Sequence, residues 1–274
     1  MDSFQDVKTS VKSFCHQNGI DIVGFASVKS WHDYDEVPED FRPQSIWPQT
    51  RTVIVMGIAM PLPIVETTPS ILHKEMYDTC NRELDSAAFN LVRYLNTQGY
   101  GSYFFPRDGY GSLKVLKEKP FAAFSHVMAG KYAGLGTIGL SHNLLSKEYG
   151  PRFRLVSVFT TAVIEPDAVL EKELCVKCKL CAQCCPKNAL IPCEDSLLAE
   201  YDKLACTEMA EELVKKRAYP CGICIKVCPI GADRKLYQEK GIMDKYRKEA
   251  EALAANPEDP RYKNWTHIRK YGSY

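Results

Sequence analysis

The chain has 274 residues, with 35 Lys and Arg against 34 Asp and Glu for a net charge of +1, and 12 cysteines. A balance this close to neutral argues against an extended nucleic-acid surface or a polybasic membrane patch, leaving only local contact with a small modified nucleoside or a tRNA tip. The longest apolar run, residues 52–65, is broken by Pro61 and Pro63 and is too short to span a bilayer, and MDSFQDVKTSVKSF at the N-terminus has neither an apolar core nor a twin-Arg signal, so the expected location is cytoplasmic.

In chain order, Phe4, Val7, Val11 and Phe14 recur at helical spacing, and Asn18-Gly19 supplies a stop. Residues 20–28 read as a strand, and the polar, Pro-bearing stretch 31–48 as loop. Residues 51–60 are continuously apolar and β-branched, the pattern of a strand buried on both faces. A long helix is expected over 73–97, with Leu84, Ala88, Leu91 and Leu95 on one face and Gly99 and Gly101 ending it. Residues 103–105 suit a short strand, 108–111 a turn and 121–133 a helix. Residues 144–146 and 153–161 are expected to pair as strands around Tyr149-Gly150-Pro151. After Arg234 a charged helix runs to 255, followed by a tail bearing Tyr262, Trp265 and Tyr271.

Cys175, Cys178, Cys181, Cys185 and Pro186 spell C-x2-C-x2-C-x3-C-P, the bacterial ferredoxin spacing for cubane iron–sulfur clusters. Cys221, Cys224, Cys228 and Pro229 spell a shorter C-x2-C-x3-C-P. Such spacing wraps thiolates around one cluster face, and the Pro opens a helix where its missing N–H costs nothing. In two-cluster ferredoxins the fourth Cys of each run ligates the other cluster. That crossover assigns Cys175, Cys178, Cys181 and Cys228 to one [4Fe-4S] cluster, and Cys185, Cys221 and Cys224 to a second. The second needs one more thiolate. Cys206, in LACTEMAEEL, is the first choice and Cys193, in LIPCED, the rival; Cys184 would break the x3-C-P spacing. Zinc needs only two C-x2-C pairs, and disulfides do not suit a chain without an export signal. Seven cysteines in crossover order point instead to single-electron carriage. Cys15 and Cys80 read as small buried hydrophobes. A two-cluster module takes roughly 60–70 residues, so a further domain of ordinary size must accompany it.

Gly134, Gly136 and Gly139 in AGLGTIGL spell G-x-G-x-x-G. A dinucleotide fingerprint needs a preceding strand, a following helix and an acid about 20 residues on. Here a helix-like segment precedes, and Ser157 and Phe159 stand near the acid's offset. The glycines are therefore read as backbone that turns sharply or approaches something large and flat.

The stretch MAGKYAGLGTIGLSHNLLSKEYGPRFRLVSVFTT, residues 128–161, followed by the two cysteine runs, resembles the epoxyqueuosine reductase and reductive dehalogenase superfamily. Members carry an AGLG-x-x-G segment, a Leu-rich strand, a YGPR-like turn, a strand ending in Thr, and a ferredoxin-like module whose second run is shortened. In epoxyqueuosine reductases the missing ligand is a Cys in an intervening helix, the place held here by Cys206. The resemblance covers residues 7–234 and is strongest over 128–234. It implies an α+β fold, with a nitroreductase-like cobalamin-binding domain over 1–166, a two-cluster ferredoxin-like module over 167–235, and a C-terminal helix and tail over 236–274. It implies two [4Fe-4S] clusters feeding cobalamin one electron at a time for reductive C–O or C–halogen cleavage. The substrate would be a small molecule or modified nucleoside, and the electron source an external low-potential donor such as ferredoxin or flavodoxin. Family position makes Gly134, Gly136, Gly139 and Asn143 cofactor-lining. Arg152 and Arg154 either hold a corrinoid side chain or anionic substrate, or are solvated strand ends. The D-S/T-x-P motif bearing the proton donor of epoxyqueuosine reductases is missing here. His126, Asp108 and Tyr110 are the candidates in its place, against plainer readings as a core His and turn residues. The tRNA-contacting helical repeats of longer epoxyqueuosine reductases and the leader of exported dehalogenases are not found in this sequence. Two other readings stay open: an electron carrier serving a partner enzyme, and a flavin-dependent reductase on the same fold.

Overall fold

The computed structural model describes residues 4–107, 112–237, 240–262 and 267–268. The chain opens with α1 (Phe4–Gln17), β1 (Ile22–Ser27), α2 (Ser30–Asp33), a 3-10 turn (Glu39–Phe41) and α3 (Pro43–Ile46). Next come β2 (Thr52–Ala59), α4 (Leu62–Val65), α5 (Ile71–Thr97), β3 (Ser102–Phe105), α6 (Leu113–Glu118) and α7 (His126–Tyr132). β4 (Thr137–Ile138), β5 (Leu144–Leu145) and β6 (Phe153–Thr160) complete this part. The cysteine-rich segment holds α8 (Leu180–Gln183), β7 (Leu190–Ile191), β8 (Glu200–Tyr201), α9 (Lys203–Lys215), α10 (Ile223–Lys226) and α11 (Asp233–Leu236), and α12 (Ile242–Ala255) follows. No described helix is long and apolar enough to cross a membrane.

Four strands form an antiparallel sheet in the order β1-β2-β6-β3. The unbroken apolar run of β2 has a direct cause: both faces of the sheet are covered. Ile54 and Met56 face α5, where Leu84, Ala88, Leu91 and Leu95 are fully buried with Val156 and Val158 of β6. Val53 and Val55 face the other layer, formed by Ala129 and Tyr132 of α7 with Trp31, Phe124 and Phe159. Each large side chain so buried contributes about 1.5–3 kcal/mol. The outer edge of β1 is met by Asp167, whose N–H bonds the Phe25 carbonyl at 2.8 Å while its carboxylate accepts from Phe25 N–H at 3.0 Å. Lys8 of α1 holds the same carboxylate at 2.7 Å.

The structure departs from the sequence expectations in four places. The helix expected over 121–133 starts only at His126, where Ser125 caps α7 by accepting from Met128 N–H. The 73–97 helix begins two residues earlier, at Ile71, with Ser70 as its cap. Leu144–Leu145 pairs with Thr137–Ile138 rather than with residues 153–161. A Ser146–Gly150 bridge closes the turn between them, and β6 is already taken on both sides by β2 and β3. The stretch 31–48, read as loop, contains α2, the 3-10 turn and α3, anchored by the buried ring of Trp31 against Tyr132.

Helix α12 lies over the cysteine-rich segment through buried charges. Lys226 pairs with Glu249 at 2.9 Å, both almost fully buried. Arg234 donates to the Tyr246 hydroxyl at 3.0 Å, and Glu66 of the first part accepts from Tyr246 and from Lys245.

Candidate functional site

The ten cysteines of the C-terminal half are sorted by the fold rather than by sequence order. Cys175, Cys178, Cys181 and Cys228 line one narrow hollow of about 20 Å³ with Gly139, Leu140 and Leu145. Cys185, Cys206, Cys221 and Cys224 line a second of about 260 Å³, which Cys181 lines as well. Cys228 of the second run thus joins three thiols of the first, and Cys185 of the first joins two of the second. Cys206 reaches its place from α9, and burial pushes its thiol up, opposed by the neighbouring Tyr201 hydroxyl. Cys193 lines neither hollow; its sulfur is 3.7 Å from the Ile191 carbonyl. Cys184 turns toward Leu180, Val227 and Tyr246.

Short helices create this arrangement. Lys179 and Gly222, each the second residue of a C-x-x-C pair, adopt nearly the same left-handed conformation (φ 62 and 64°) and start the four-residue helices α8 and α10. That turn points both thiols of each pair inward. Burial pushes Cys181 up to about 12, helped by negative charge on Cys228, Cys178 and Cys175. Burial and then Cys221 push Cys224 up to about 12, while a hydrogen bond from Asn143 opposes the rise. Thiolates packed this closely repel one another, and a strong positive centre between them removes that repulsion. Among the described residues, no three His, Cys, Asp or Glu converge as ligands of a single ion would. Four thiols ringed about a space match the donor set of an iron–sulfur cubane.

A separate cavity of about 330 Å³ lies against the sheet between α7 and the second hollow. Its walls include Phe124 and His126, Phe153, Arg154 and Leu155 of β6, Tyr77 of α5, and Ile225 of α10. Asn143 lines the cavity, and its Nδ2 donates to Cys224 Sγ at 3.5 Å and to Ser141 Oγ at 2.9 Å. One side chain therefore bridges the second thiol group to the cavity.

The other sequence candidates fall in distinct places. His126 Nε2 donates to the Pro106 carbonyl at 2.9 Å, and its Nδ1 lies 2.8 Å from Ser157 Oγ. Arg154 lines the cavity, stacked over Tyr77 at 4.4 Å and bonded to Asn81 Oδ1 at 3.0 Å. Arg152 does not line it. Its guanidinium is fully buried, bound to both carboxylate oxygens of Asp233 (2.6 and 2.7 Å) and to the carbonyl oxygens of Cys228 and Ile230. Gly134, Gly136 and Gly139 also stand outside the cavity lining. Added β-carbons there would meet the Ala168 carbonyl at 2.4 Å, the Leu145 carbonyl at 1.9 Å and the Leu145 side chain at 2.7 Å. Their smallness serves close packing of protein on protein. Asp108 and Tyr110 lie outside the described residues.

Sequence reasoning missed the supports behind the second cysteine run. Thr68 donates its hydroxyl to the Cys221 carbonyl, and His73 packs on Gly222. His73 is fully buried with no hydrogen bond to either ring nitrogen. Burial pulls it down to about 4; the Pro220 carbonyl favours its protonated form without reaching bonding geometry, and Arg154 opposes it. No local signal could reveal these contacts, since they join residues some 150 positions apart.

No family model matches the chain. It is 25% identical over 226 residues to tetrachloroethene reductive dehalogenase from Desulfitobacterium hafniense, covering 77% of this chain and 36% of that protein. Over 206 residues it is 26% identical to tetrachloroethene reductive dehalogenase from Sulfurospirillum multivorans, covering 70% and 38%. The chain thus spans little more than a third of the length of these curated relatives. The solved structure of epoxyqueuosine reductase from Streptococcus thermophilus superposes with a TM-score of 0.53 at 18% identity, over 82% of this chain and 66% of that one. A catabolic reductive dehalogenase in complex with 3-bromo-4-hydroxybenzoic acid gives 0.62 at 20% identity, over 84% and 33%. The chain is thus similar in sequence to the reductive dehalogenases, and in fold to both reductive dehalogenase and epoxyqueuosine reductase.

Proposed function

We propose that the chain is an iron–sulfur, corrinoid-dependent reductase that breaks a C–halogen or C–O bond of a small molecule or modified nucleoside. The observation that carries this reading is the Asn143 bridge from Cys224 to the cavity. An electron carrier alone has no need of a lined cavity beside its inner thiols. In this reading residues 1–166 form the catalytic domain, 167–235 the two-cluster module, and 236–274 a helix and tail.

Each chain residue then has a task. Cys175, Cys178, Cys181 and Cys228 hold one [4Fe-4S] cluster, and Cys185, Cys206, Cys221 and Cys224 the other. The cavity wall of Leu144, Phe153, Leu155 and Ile225 would offer apolar surface to a corrinoid, with Asn143 and Ser125 as donors to its amide side chains. At 330 Å³ the cavity is smaller than a whole corrinoid, part of which would stand outside it. When bound, the clusters carry single electrons and a reduced corrinoid cobalt supplies the strong reductant for bond cleavage. Arg154, already stacked and bonded, meets an anionic substrate with little loss of side-chain freedom. As the imidazolium, bonded through Nδ1 to Ser157 Oγ and through Nε2 to the Pro106 carbonyl, His126 delivers its Nε2 proton by releasing that carbonyl and is left as the neutral ring. Asp108 and Tyr110 are the alternative donors.

Anaerobic reconstitution with iron, sulfide and hydroxocobalamin, then desalting and optical and EPR spectra, tests the reading. About eight irons with about one retained corrinoid per chain, its Co(II) signal distinct from free cobalamin, is the expected result. Full iron with no retained corrinoid overturns the corrinoid reading.

A further inference from the structure

The two thiol groups meet the rest of the molecule differently. The loop of the second run is backed by protein: the Cys221 carbonyl is held by Thr68, and a β-carbon on Gly222 would strike His73 at 2.8 Å. The loop of the first run faces outward. Cys175 and Cys178 are half-buried, and Val176 between them is 61% exposed. Val176 and Lys179 form part of the rim of the first hollow. Lys177 and Lys179 are exposed, both in the left-handed region at φ 54 and 62°. Gly or Asn adopts that conformation with least cost, yet lysine stands at both positions. From Leu174 to Cys193 the sequence has Lys177, Lys179 and Lys187 and no acidic residue. Lys187 is neutralised by Glu212 at 2.7 Å, whereas Lys177 and Lys179 form no ion pair with any described residue. Arg247 adds positive charge on the same side, bonded to Gln183, whose N–H bonds the Lys179 carbonyl. The nearest acids in sequence, Glu171 and Glu173, precede the first thiol.

We propose that the exposed Val176 tip, flanked by Lys177 and Lys179, is the docking surface for an acidic one-electron carrier protein, and that electrons enter the chain there. The inference rests on the two-cluster reading above. A small apolar contact beside two unpaired lysines suits the weak, salt-sensitive encounters of electron-transfer partners. The step moves one electron from the reduced carrier's iron–sulfur centre to the cluster of Cys175, Cys178, Cys181 and Cys228. The carrier is oxidised, the cluster is reduced, and no bond or proton changes.

The test uses the reconstituted full chain, an acidic [2Fe-2S] ferredoxin as probe, and Lys177→Asn/Lys179→Asn, since Asn tolerates the left-handed backbone. Iron is counted first; wild-type chain without clusters would overturn the two-cluster reading itself. With iron equal in both proteins, the variant's Kd for oxidised ferredoxin should weaken about tenfold at low salt. The wild-type Kd should weaken with added salt and the variant's should hardly move. Reduction of the clusters by reduced ferredoxin should slow in parallel, with reduction by Ti(III) citrate unchanged. Lys215→Asn/Lys216→Asn, a change of equal charge at the end of α9, should leave Kd and rate as in wild type. Wild-type binding in the Lys177/Lys179 variant, or the loss appearing in the Lys215/Lys216 variant instead, overturns the proposal.

Discussion

The pairs Cys178–Cys181 and Cys221–Cys224 share a spacing and a backbone, yet sit in opposite surroundings. Lys179 (φ 62°, ψ 6°) and Gly222 (φ 64°, ψ 4°) make the same turn into the same short helix. At 179 the side chain runs into solvent; at 222 there is no room for one, because His73 and Thr68 occupy its place. Cysteine spacing dictates the shape of the loop. What lies behind the loop dictates the residue at its left-handed corner. The difference gives the chain a polarity, with one thiol group toward solvent and the other toward the cavity.

The most drastic way to break the comparison is to remove one group only. Cys206→Ala should lower iron from about eight to about four per chain and leave the solvent-side cluster's EPR signal intact. Cys193→Ala should keep full iron; the reverse pattern would transfer the ligand role to Cys193. Next in size is the lock on the second run. Asp233→Ala strands the buried Arg152 guanidinium that grips the Cys228 and Ile230 carbonyls. A loss of about 3–5 kcal/mol in denaturant unfolding is expected, and a loss under 1 kcal/mol would show the pair to be dispensable.

The backing of the second run also titrates. His73 is held near pKa 4 by burial, against an ordinary value of 6.5. Above pH 6.5 it is neutral both folded and unfolded and costs nothing. As pH falls below 6.5 the unfolded chain takes up a proton that the folded chain refuses, so stability declines toward pH 4. Between pH 7 and pH 5 the loss should be about 2 kcal/mol. In His73→Leu that part of the slope should vanish; an unchanged slope would mean other groups cause it. The finest discrimination is at the corner residues. Gly222→Ala should cost about 1–3 kcal/mol, from left-handed strain plus the collision with His73. Lys179→Ala, with the same φ and open surroundings, should stay within about 0.5 kcal/mol of wild type by thermal melting.

What the sequence revealed was mostly local. The grouping of thiols was legible because three- and four-residue spacings place them on one turn, and because the two-cluster ferredoxin pattern swaps the last thiol of each run. Helix α5 was legible because Leu84, Ala88, Leu91 and Leu95 repeat along one face. The start of α7 could have been read from Ser125, whose capping signal was overshadowed by the apolar run beginning at Phe121. Other features depend on distant partners. Arg152 looked like a site residue until Asp233 claimed it, and the glycines looked like a cradle until Leu145 and Ala168 filled their sides. Thr68 and His73 carry no motif at all; only folding brings them to Cys221 and Gly222.

Asp167 has a consequence beyond the site. β1 is one of the two edge strands of its sheet and would otherwise present bare N–H and C=O groups to any extended chain. Asp167 takes both groups of Phe25, one through its backbone and one through its carboxylate, and Lys8 fixes it there. The residue that begins the passage to the cysteine-rich segment is also a cap on the sheet's open rim, where strand-to-strand aggregation would begin. Freeing that passage, by proteolysis near 167 or by Asp167→Ala, should therefore make the protein stickier as well as looser.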